Sequence, residues 1–323
     1  MKKTILVSGA SGIVGYGILR SIKKADKDYK LIGTSIYENS IAPAFCDIFE
    51  LAVPTNSKEY LAWLLAVIKK HKIDMIIPSI EIDMYFWNKH RVEIEKSGAI
   101  CLLNSFELIE LCNDKWEFYQ NLKDSIPEYI IDTSDNVHKN IFGYPYILKP
   151  KQGFGSKGII RIKNQEDYEL HKNEITNDLI MQPIIGTDDE EYTVSAFFDK
   201  NHELIEYLAL KRKLSLNGYT EVAEVVDYDF GLILQRIAKI VNPIGPTNFQ
   251  FRKDENLSMK LLEINPRISS STSIRASFGY NESLMSIEYF LDNKRPTKIN
   301  KDDIQNAKAI RYVEEYIFND SID

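Results

Sequence analysis

Within the first 104 residues, short apolar segments alternate with longer amphipathic ones, and glycine, serine or proline marks most of the changes. Strands are expected over residues 4–8, 31–34, 51–53, 74–78 and 100–102, with helices from about Ile13 and over residues 60–70 and 84–96. Strands that alternate with helices imply right-handed crossovers and a parallel sheet covered on both faces.

From Phe106 the pattern changes. Helices over residues 106–112 and 115–122 lead to Pro127, and strands then appear at 146–149, 158–162 and 179–182 with one helix near 166–173. Longer strands follow at 192–198, 203–211, 248–252 and 258–264, with helices over 230–240 and 282–291. No internal repeat is visible. The expected class is α/β: a parallel-sheet domain at residues 1–112, then a two-lobed α+β domain at 113–323. Its small lobe, about 126–187, has the glycine-rich make-up of a lid, and residues 188–323 form the larger lobe.

The net charge of −7 comes with lysine and glutamate interspersed, which argues against a nucleic-acid surface. Three cysteines, Cys46, Cys101 and Cys112, are odd in number and lack metal-type spacing, as expected of reduced thiols. No apolar run is long enough to cross a bilayer. The apolar run after Met1-Lys2-Lys3 stops at Ser8-Gly9, too soon for a signal peptide, so a cytoplasmic protein without a membrane partner is expected.

Leu261-Leu262-Glu263-Ile264-Asn265-Pro266-Arg267 carries the densest chemistry. Residues two apart on a strand share a face, so Glu263, Asn265 and Arg267 project together while Leu262 and Ile264 are expected to face the core. A carboxylate and an amide oxygen make a hard donor set suited to Mg²⁺, and the guanidinium suits phosphate or carboxylate. Upstream, Asn248, Gln250 and Arg252 alternate on a second strand, and a short turn at 254–256 makes the two a hairpin with Gln250 beside Glu263.

Two further segments carry charge or unpaired backbone. Lys149 ends a strand and is followed by Gly153-Phe154-Gly155-Ser156-Lys157, a loop whose N–H groups can close over phosphate oxygens. With Lys115, which opens a helix after Asp114, it supplies two lysines and a lid for one anion. In Gln182-Pro183-Ile184 a proline interrupts an apolar strand and frees backbone groups that can read a base edge. Glu191, at the start of the next strand, can accept ribose hydroxyls; Asp188 and Asp189 before it read as a solvated turn.

Gly9-Ala10-Ser11-Gly12-Ile13-Val14-Gly15 lies between a strand and a helix and invites a dinucleotide-binding reading, as in an NAD-dependent epimerase or reductase. Against it, strand 31–34 does not end in an acid. The Tyr-x-x-x-Lys pattern occurs three times, at Tyr85/Lys89, Tyr119/Lys123 and Tyr207/Lys211, and never where such a fold would use it.

In order and spacing these elements resemble the ATP-grasp superfamily over nearly the whole chain. Asn248-Phe249-Gln250-Phe251 with Glu263-Ile264-Asn265-Pro266-Arg267 is most similar to one ATP-grasp half of the carbamoyl-phosphate synthetase large chain. The resemblance implies a Rossmann-like domain preceding an ATP-grasp domain, with ATP and Mg²⁺ (or Mn²⁺) as cofactors. It places Lys115, Lys149, Gly153, Gly155, Ser156 and Lys157 at the phosphates, Gln182 to Ile184 at adenine, and Glu191 at ribose. Gln250, Glu263 and Asn265 would hold the metal, and Arg267 would steady the transferred phosphoryl group. The implied activity is an ATP-dependent carboxylate–amine ligase using an acyl phosphate; a phosphotransferase on the same scaffold is the alternative. Such enzymes often form homodimers. One half without a repeat does not suit two successive phosphorylations. Candidate substrate contacts are Glu81 at a strand C-terminus, the basic pair Lys211 and Arg212, and Arg275 near a helix start. The run Ile268-Ser269-Ser270-Ser271-Thr272-Ser273 is expected to cap the helix that follows.

Overall fold

The computed structural model describes residues 2–153, 158–187, 190–215 and 218–318. The opening alternation folds as β1 (Lys3–Val7), α1 (Ile13–Lys24), β2 (Tyr29–Ser35), β3 (Ile48–Leu51), α2 (Tyr60–His71), β4 (Met75–Ile77), α3 (Glu81–Lys89), α4 (Arg91–Glu95) and β5 (Ile100–Cys101). These strands form one parallel sheet in the order β3-β2-β1-β4-β5. Leu64, Ile68, Met84 and Trp87 cover one face of it. Ile18, Leu19 and Ile22 cover the other, joined there by Ile268 and Ile287 from far along the chain. The single helix expected over 84–96 is two, because the backbone turns at His90 (φ −107°, ψ 16°).

The chain continues through α5 (Phe106–Asn113) and α6 (Lys115–Leu122) into a small antiparallel sheet. This holds β6 (Tyr146–Pro150), β7 (Ile160–Ile162) and β8 (Leu179–Pro183), ordered β7-β6-β8, with α7 (Gln165–His171) between the last two in sequence. Tyr146, Leu148, Ile162 and Met181 make its core with Val137.

A six-stranded sheet completes the molecule: β9 (Glu191–Phe198), β10 (Leu204–Leu214), β11 (Thr220–Val225), β12 (Gly245–Lys253), β13 (Met259–Asn265) and β14 (Lys308–Ile310). Its order is β13-β12-β9-β10-β11-β14, and all its pairings are antiparallel. Helices α8 (Gly231–Val241), α9 (Thr272–Ser277) and α10 (Glu282–Asp292) flank it. On one face Val194, Ala196, Phe249, Phe251 and Ile264 pack under α8, with Leu108 from α5 and Phe118 from α6. The other face is polar near Glu191 and apolar near Phe197, where Ile274 and Met285 cover it.

β11 and β14 are absent from the sequence reading: the first is short and half-exposed, the second only three residues. The hydroxyl run before α9 does not cap it. Ser271 stands at the N-cap without a side-chain cap bond. Its Oγ pairs instead with Thr220 Oγ1 (2.8 Å).

β13 departs from the expected alternation in an informative way. Gln250 pairs with Glu263, but the next residue, Phe251, pairs with Leu261, so Leu262 is an extra residue, a β-bulge. Leu261 (1% exposed) and Ile264 (5%) therefore enter the core, and Leu262 stays half-buried. The bulge switches the phase of the strand, which places Glu263 on the same face as Gln250.

Candidate active site

The charged side chains converge where the small sheet faces the polar end of the six-stranded one. On β12, Gln250 lies opposite Glu263 and Asn248 opposite Asn265. Asn265 Nδ2 donates to Glu263 Oε1 (2.9 Å), so the two neighbours on β13 are held as a unit. Three oxygen-bearing side chains on two paired strands are a donor set that fits a hard cation such as Mg²⁺. They bring only one carboxylate, so most of the negative charge balancing such a cation would have to come from a second ligand.

Two lysines face that carboxylate. Lys149 lies at the end of β6, next to Pro150; Lys115 begins α6, where Asp114 caps the helix through the N–H groups of Trp116 (2.9 Å) and Glu117 (3.2 Å). The Lys115 N–H also donates to Lys151 O (2.9 Å) and its ammonium to Gly153 O (2.9 Å), tying the helix start to the strand exit. Burial pushes the Lys149 ammonium down to about 8; Glu263 and Glu191 pull it back up, while Lys115 and Arg252 push it further down. Burial lowers Lys115 as well, against the pull of Glu263 and Asp114. Two desolvated ammonium groups beside one carboxylate form a site short of negative charge.

The candidate base-reading segment is held on both sides. β8 pairs with β6 on one side and bridges Ser134 on the other, with Met181 donating to Ser134 O (2.7 Å) and accepting from its N–H (3.0 Å). Gln182 is fixed by Thr133 Oγ1 (2.8 Å). Pro183 and Ile184 then lead to Gly186 at φ +58°, where an added Cβ would strike Lys253 O. The turn to the larger lobe is thus pinned against β12. Gly155, Ser156 and Lys157 of the lid loop, and Asp188 and Asp189 of the acidic turn, lie outside the described residues.

Arg267 leaves β13 and donates to Ile268 O (2.7 Å) and to Glu81. Glu81 opens α3, so the structure joins the phosphoryl-contact candidate to the candidate substrate carboxylate in one ion pair.

Other candidates are placed differently. Arg275 is wholly buried: it donates to Glu282 (2.9 Å), Ser269 (2.9 Å), Thr193 (3.0 Å) and Asn248 (2.7 Å), so it belongs to the core and not to a surface an acceptor can reach. Arg212 is 6% exposed and turned inward onto Glu191. Lys211 is half-exposed and paired with Glu190 (2.6 Å). Glu191 itself is held by two arginines, Arg212 and Arg252. Burial pushes its carboxyl up, but the two guanidinium groups outweigh that and hold it below the usual range. Sequence alone assigns Arg252 no role, although its alternation with Gln250 on β12 is the signal that places it on this face.

The glycine run after β1 has a structural explanation. Gly9 turns at φ +58°, and a Cβ on Gly15 would meet the Gly9 carbonyl and the Cα of Ala10 (2.7 Å). The glycines let α1 press against the turn that precedes it. No helix among the described residues is long and apolar enough to cross a membrane.

Comparison with known proteins agrees with the fold. Residues 112–223 match the family model of the ATP-grasp domain, and residues 176–315 match that of ATP-grasp in the biosynthetic pathway with Ter operon. The D-alanine–D-alanine ligase of Petrotoga mobilis is 24% identical over 182 residues, 55% of this chain and 55% of that protein. An uncharacterized protein of Mycoplasma pneumoniae is 27% identical over 148 residues, 45% of this chain and 50% of that one. The chain thus spans about half the length of the curated relatives it matches. Among solved structures, N5-carboxyaminoimidazole synthetase from Staphylococcus aureus complexed with ADP superposes with a TM-score of 0.73 at 18% identity, over 93% of this chain and 80% of that one. Biotin carboxylase from Campylobacter jejuni gives 0.70 at 19% identity, over 95% and 74%. With two overlapping family matches that reach from the end of α5 through β14, and a fold shared along nearly its full length, the chain belongs to the ATP-grasp superfamily.

Proposed function

We propose that the protein is an ATP- and Mg²⁺-dependent ligase that joins a small-molecule carboxylate to an amine. The observation that carries this reading is the convergence of Lys149 and Lys115 on Glu263, itself fixed by Asn265 and opposite Gln250. Cations on one wall and a hard oxygen set on the other suit a triphosphate with its metal.

In the proposed reaction a carboxylate oxygen attacks the γ-phosphorus, the bond to the β,γ-bridging oxygen breaks, and ADP leaves. The amine nitrogen then attacks the acyl carbon, the carbon–oxygen bond to phosphate breaks, inorganic phosphate departs and the amine loses a proton to solvent. Bound Mg²⁺ would supply charge neutralisation at the phosphates, held by Gln250, Glu263 and Asn265. Lys149 and Lys115 would draw the phosphates in, Arg267 would steady the transferred group, and Gln182 to Ile184 would read the base. Little covalent work falls to the protein; position and charge carry the catalysis.

ADP release across a panel of carboxylate and amine pairs, with mass spectrometry of the product, tests the reading. Turnover that needs both an acid and an amine supports it; phosphorylation of one substrate alone would replace it with a phosphotransferase. Glu263→Ala is expected to lose about 2.7–4 kcal/mol of barrier lowering, the scale of one preorganised electrostatic contact. Near-normal ADP release by that variant would remove the metal assignment.

A further inference from the structure

Arg311, just past β14, is a cation whose partners among the described residues are all uncharged. Its Nη1 donates to Thr220 O (2.9 Å), and its Nη2 to Ser270 O (2.5 Å) and, at longer range, to Ser273 Oγ (3.4 Å). Three of its five N–H donors are thus engaged, and none meets a carboxylate. Arg20 on α1 is exposed and likewise forms no ion pair among the described residues. Burial pushes the Arg311 guanidinium down from its ordinary range; Tyr16 and Tyr219 work against that, while Arg20 and Arg275 add to it. Of these, Arg275 already has its counter-charge in Glu282 (2.9 Å). A guanidinium keeps its proton, so a half-buried one costs free energy until an anion joins it.

Elements of the first sheet and of the six-stranded sheet meet around this arginine. Tyr16 and Arg20 are one turn apart on the same face of α1. Gly17 between them packs on Thr272, whose methyl group would lie 3.1 Å from an added Cβ. Thr220 opens β11, and Ser270 and Ser273 belong to the run that leaves β13 just after Arg267. Past Arg311 the chain crosses to the first sheet's side, where Tyr316 meets Phe45 and Phe45 stacks on Tyr16. The hydroxyl groups of Tyr16 and Tyr219 have no hydrogen-bond partner among the described residues, so they add free donors beside the two cations. Ser270, which Arg311 grips, is three residues from Arg267, a span of about 10 Å at most. We propose that Arg311 and Arg20, with Tyr16, bind an anionic group, phosphate or carboxylate, that the acid substrate carries in addition to the carboxylate to be activated. The reacting carboxylate rests on the ligase reading above; the anion site rests on its own geometry.

The test has two arms. Inorganic phosphate is titrated calorimetrically into the wild type, Arg20→Gln, Arg311→Lys and Lys149→Met. Wild type and Lys149→Met are expected to bind it alike, and Arg20→Gln about fivefold or more weakly. Arg311→Lys should also bind weakly; because Arg311 also ties the chain to β11, the exposed Arg20 gives the deciding variant. No phosphate binding by the wild type, equal binding by Arg20→Gln, or loss only in Lys149→Met would overturn the proposal. In the second arm, ADP release is followed across the acid panel with matched pairs included: butyrate and succinate, glycerate and 3-phosphoglycerate. Acids with a second anionic group should be favoured about tenfold or more in kcat/KM, and Arg20→Gln should erase that preference through KM for the acid while KM for ATP stays put. A preference for succinate assigns the site to carboxylate, one for 3-phosphoglycerate to phosphate. Equal use of both members of each pair would overturn the proposal. Phosphate binding that depends on Arg20, with no ADP release from any acid, removes the ligase reading and leaves the anion site standing.

Discussion

Arg267 donates to Glu81 across 186 residues of sequence, linking the exit of β13 to the first turn of α3. The pair is largely shielded, with side chains 12% and 19% exposed, and the carboxylate sits at a helix N-terminus, where the helix dipole favours it. Arg267 is thereby aimed before any substrate arrives. In a double-mutant cycle on the rate of ADP formation, Glu81→Gln and Arg267→Lys should be coupled by about 0.5–3 kcal/mol. Strict additivity would show that the ion pair does not orient the arginine.

Lys149 gives two pH dependences of opposite sign. If Lys149 holds phosphate as proposed, ATP needs its protonated ammonium, and affinity should be level below pH 8 and fall as pH rises through about 8, the folded-state value. Lys149→Met should bind ATP weakly and lose that midpoint. Stability runs the other way. The folded pKa is depressed below the ordinary lysine value of 10.5, so between about 8 and 10.5 the unfolded chain holds more protons, and this group makes the unliganded protein more stable as pH climbs through that window. Urea titrations and nucleotide titrations over the same pH range would show both trends, and the same sign in both would contradict the assignment.

Gly15 tests whether the glycine run is structural. A Cβ there meets backbone atoms of Gly9 and Ala10, which cannot swing away as a side-chain end can. Gly15→Ala should destabilise the fold by about 1–3 kcal/mol, the range for overpacking, as read from the shift in urea midpoint. A neutral effect would show that α1 can move off the turn.

Arg275 and Glu282 are both fully buried, and Glu282 also accepts from Ser195. Arg275→Met alone strands a buried carboxylate and should cost about 3–5 kcal/mol of stability. Adding Glu282→Leu should restore part of the loss. ATP affinity of the folded double variant should match the wild type, because Arg275 has no exposed surface with which to meet a ligand. A large loss of nucleotide affinity there would return Arg275 to the candidate site.

The first sheet was legible because its strands are nearly continuous apolar runs and its helices fill the intervals, a pattern with few folded solutions. The Gln250/Glu263 pairing was legible for a different reason: a short turn between two alternating strands fixes which residues lie opposite. What alternation could not show was the bulge at Leu262, since a doubled leucine satisfies either phase until the partner strand chooses one. Partnership was the other gap. Arg212 and Arg275 both read as cations for an incoming anion in sequence, but β9 brings Glu191 to the first and the start of α10 brings Glu282 to the second. A charge reads as available only until the topology delivers its counter-charge.

The seating of Ile268 and Ile287 against Ile18, Leu19 and Ile22 sets a timetable for synthesis. A ribosome that has released the first 104 residues has delivered every strand of the first sheet, yet one face of that sheet still lacks part of its cover. At 5–20 residues per second, the missing cover arrives on the order of ten seconds later or more. Throughout that interval α1 and the sheet behind it present unmatched apolar surface, which makes the nascent first sheet a natural client for chaperones. Truncations that stop before residue 268 should show the same exposure permanently, as an aggregating fragment in place of an independent domain.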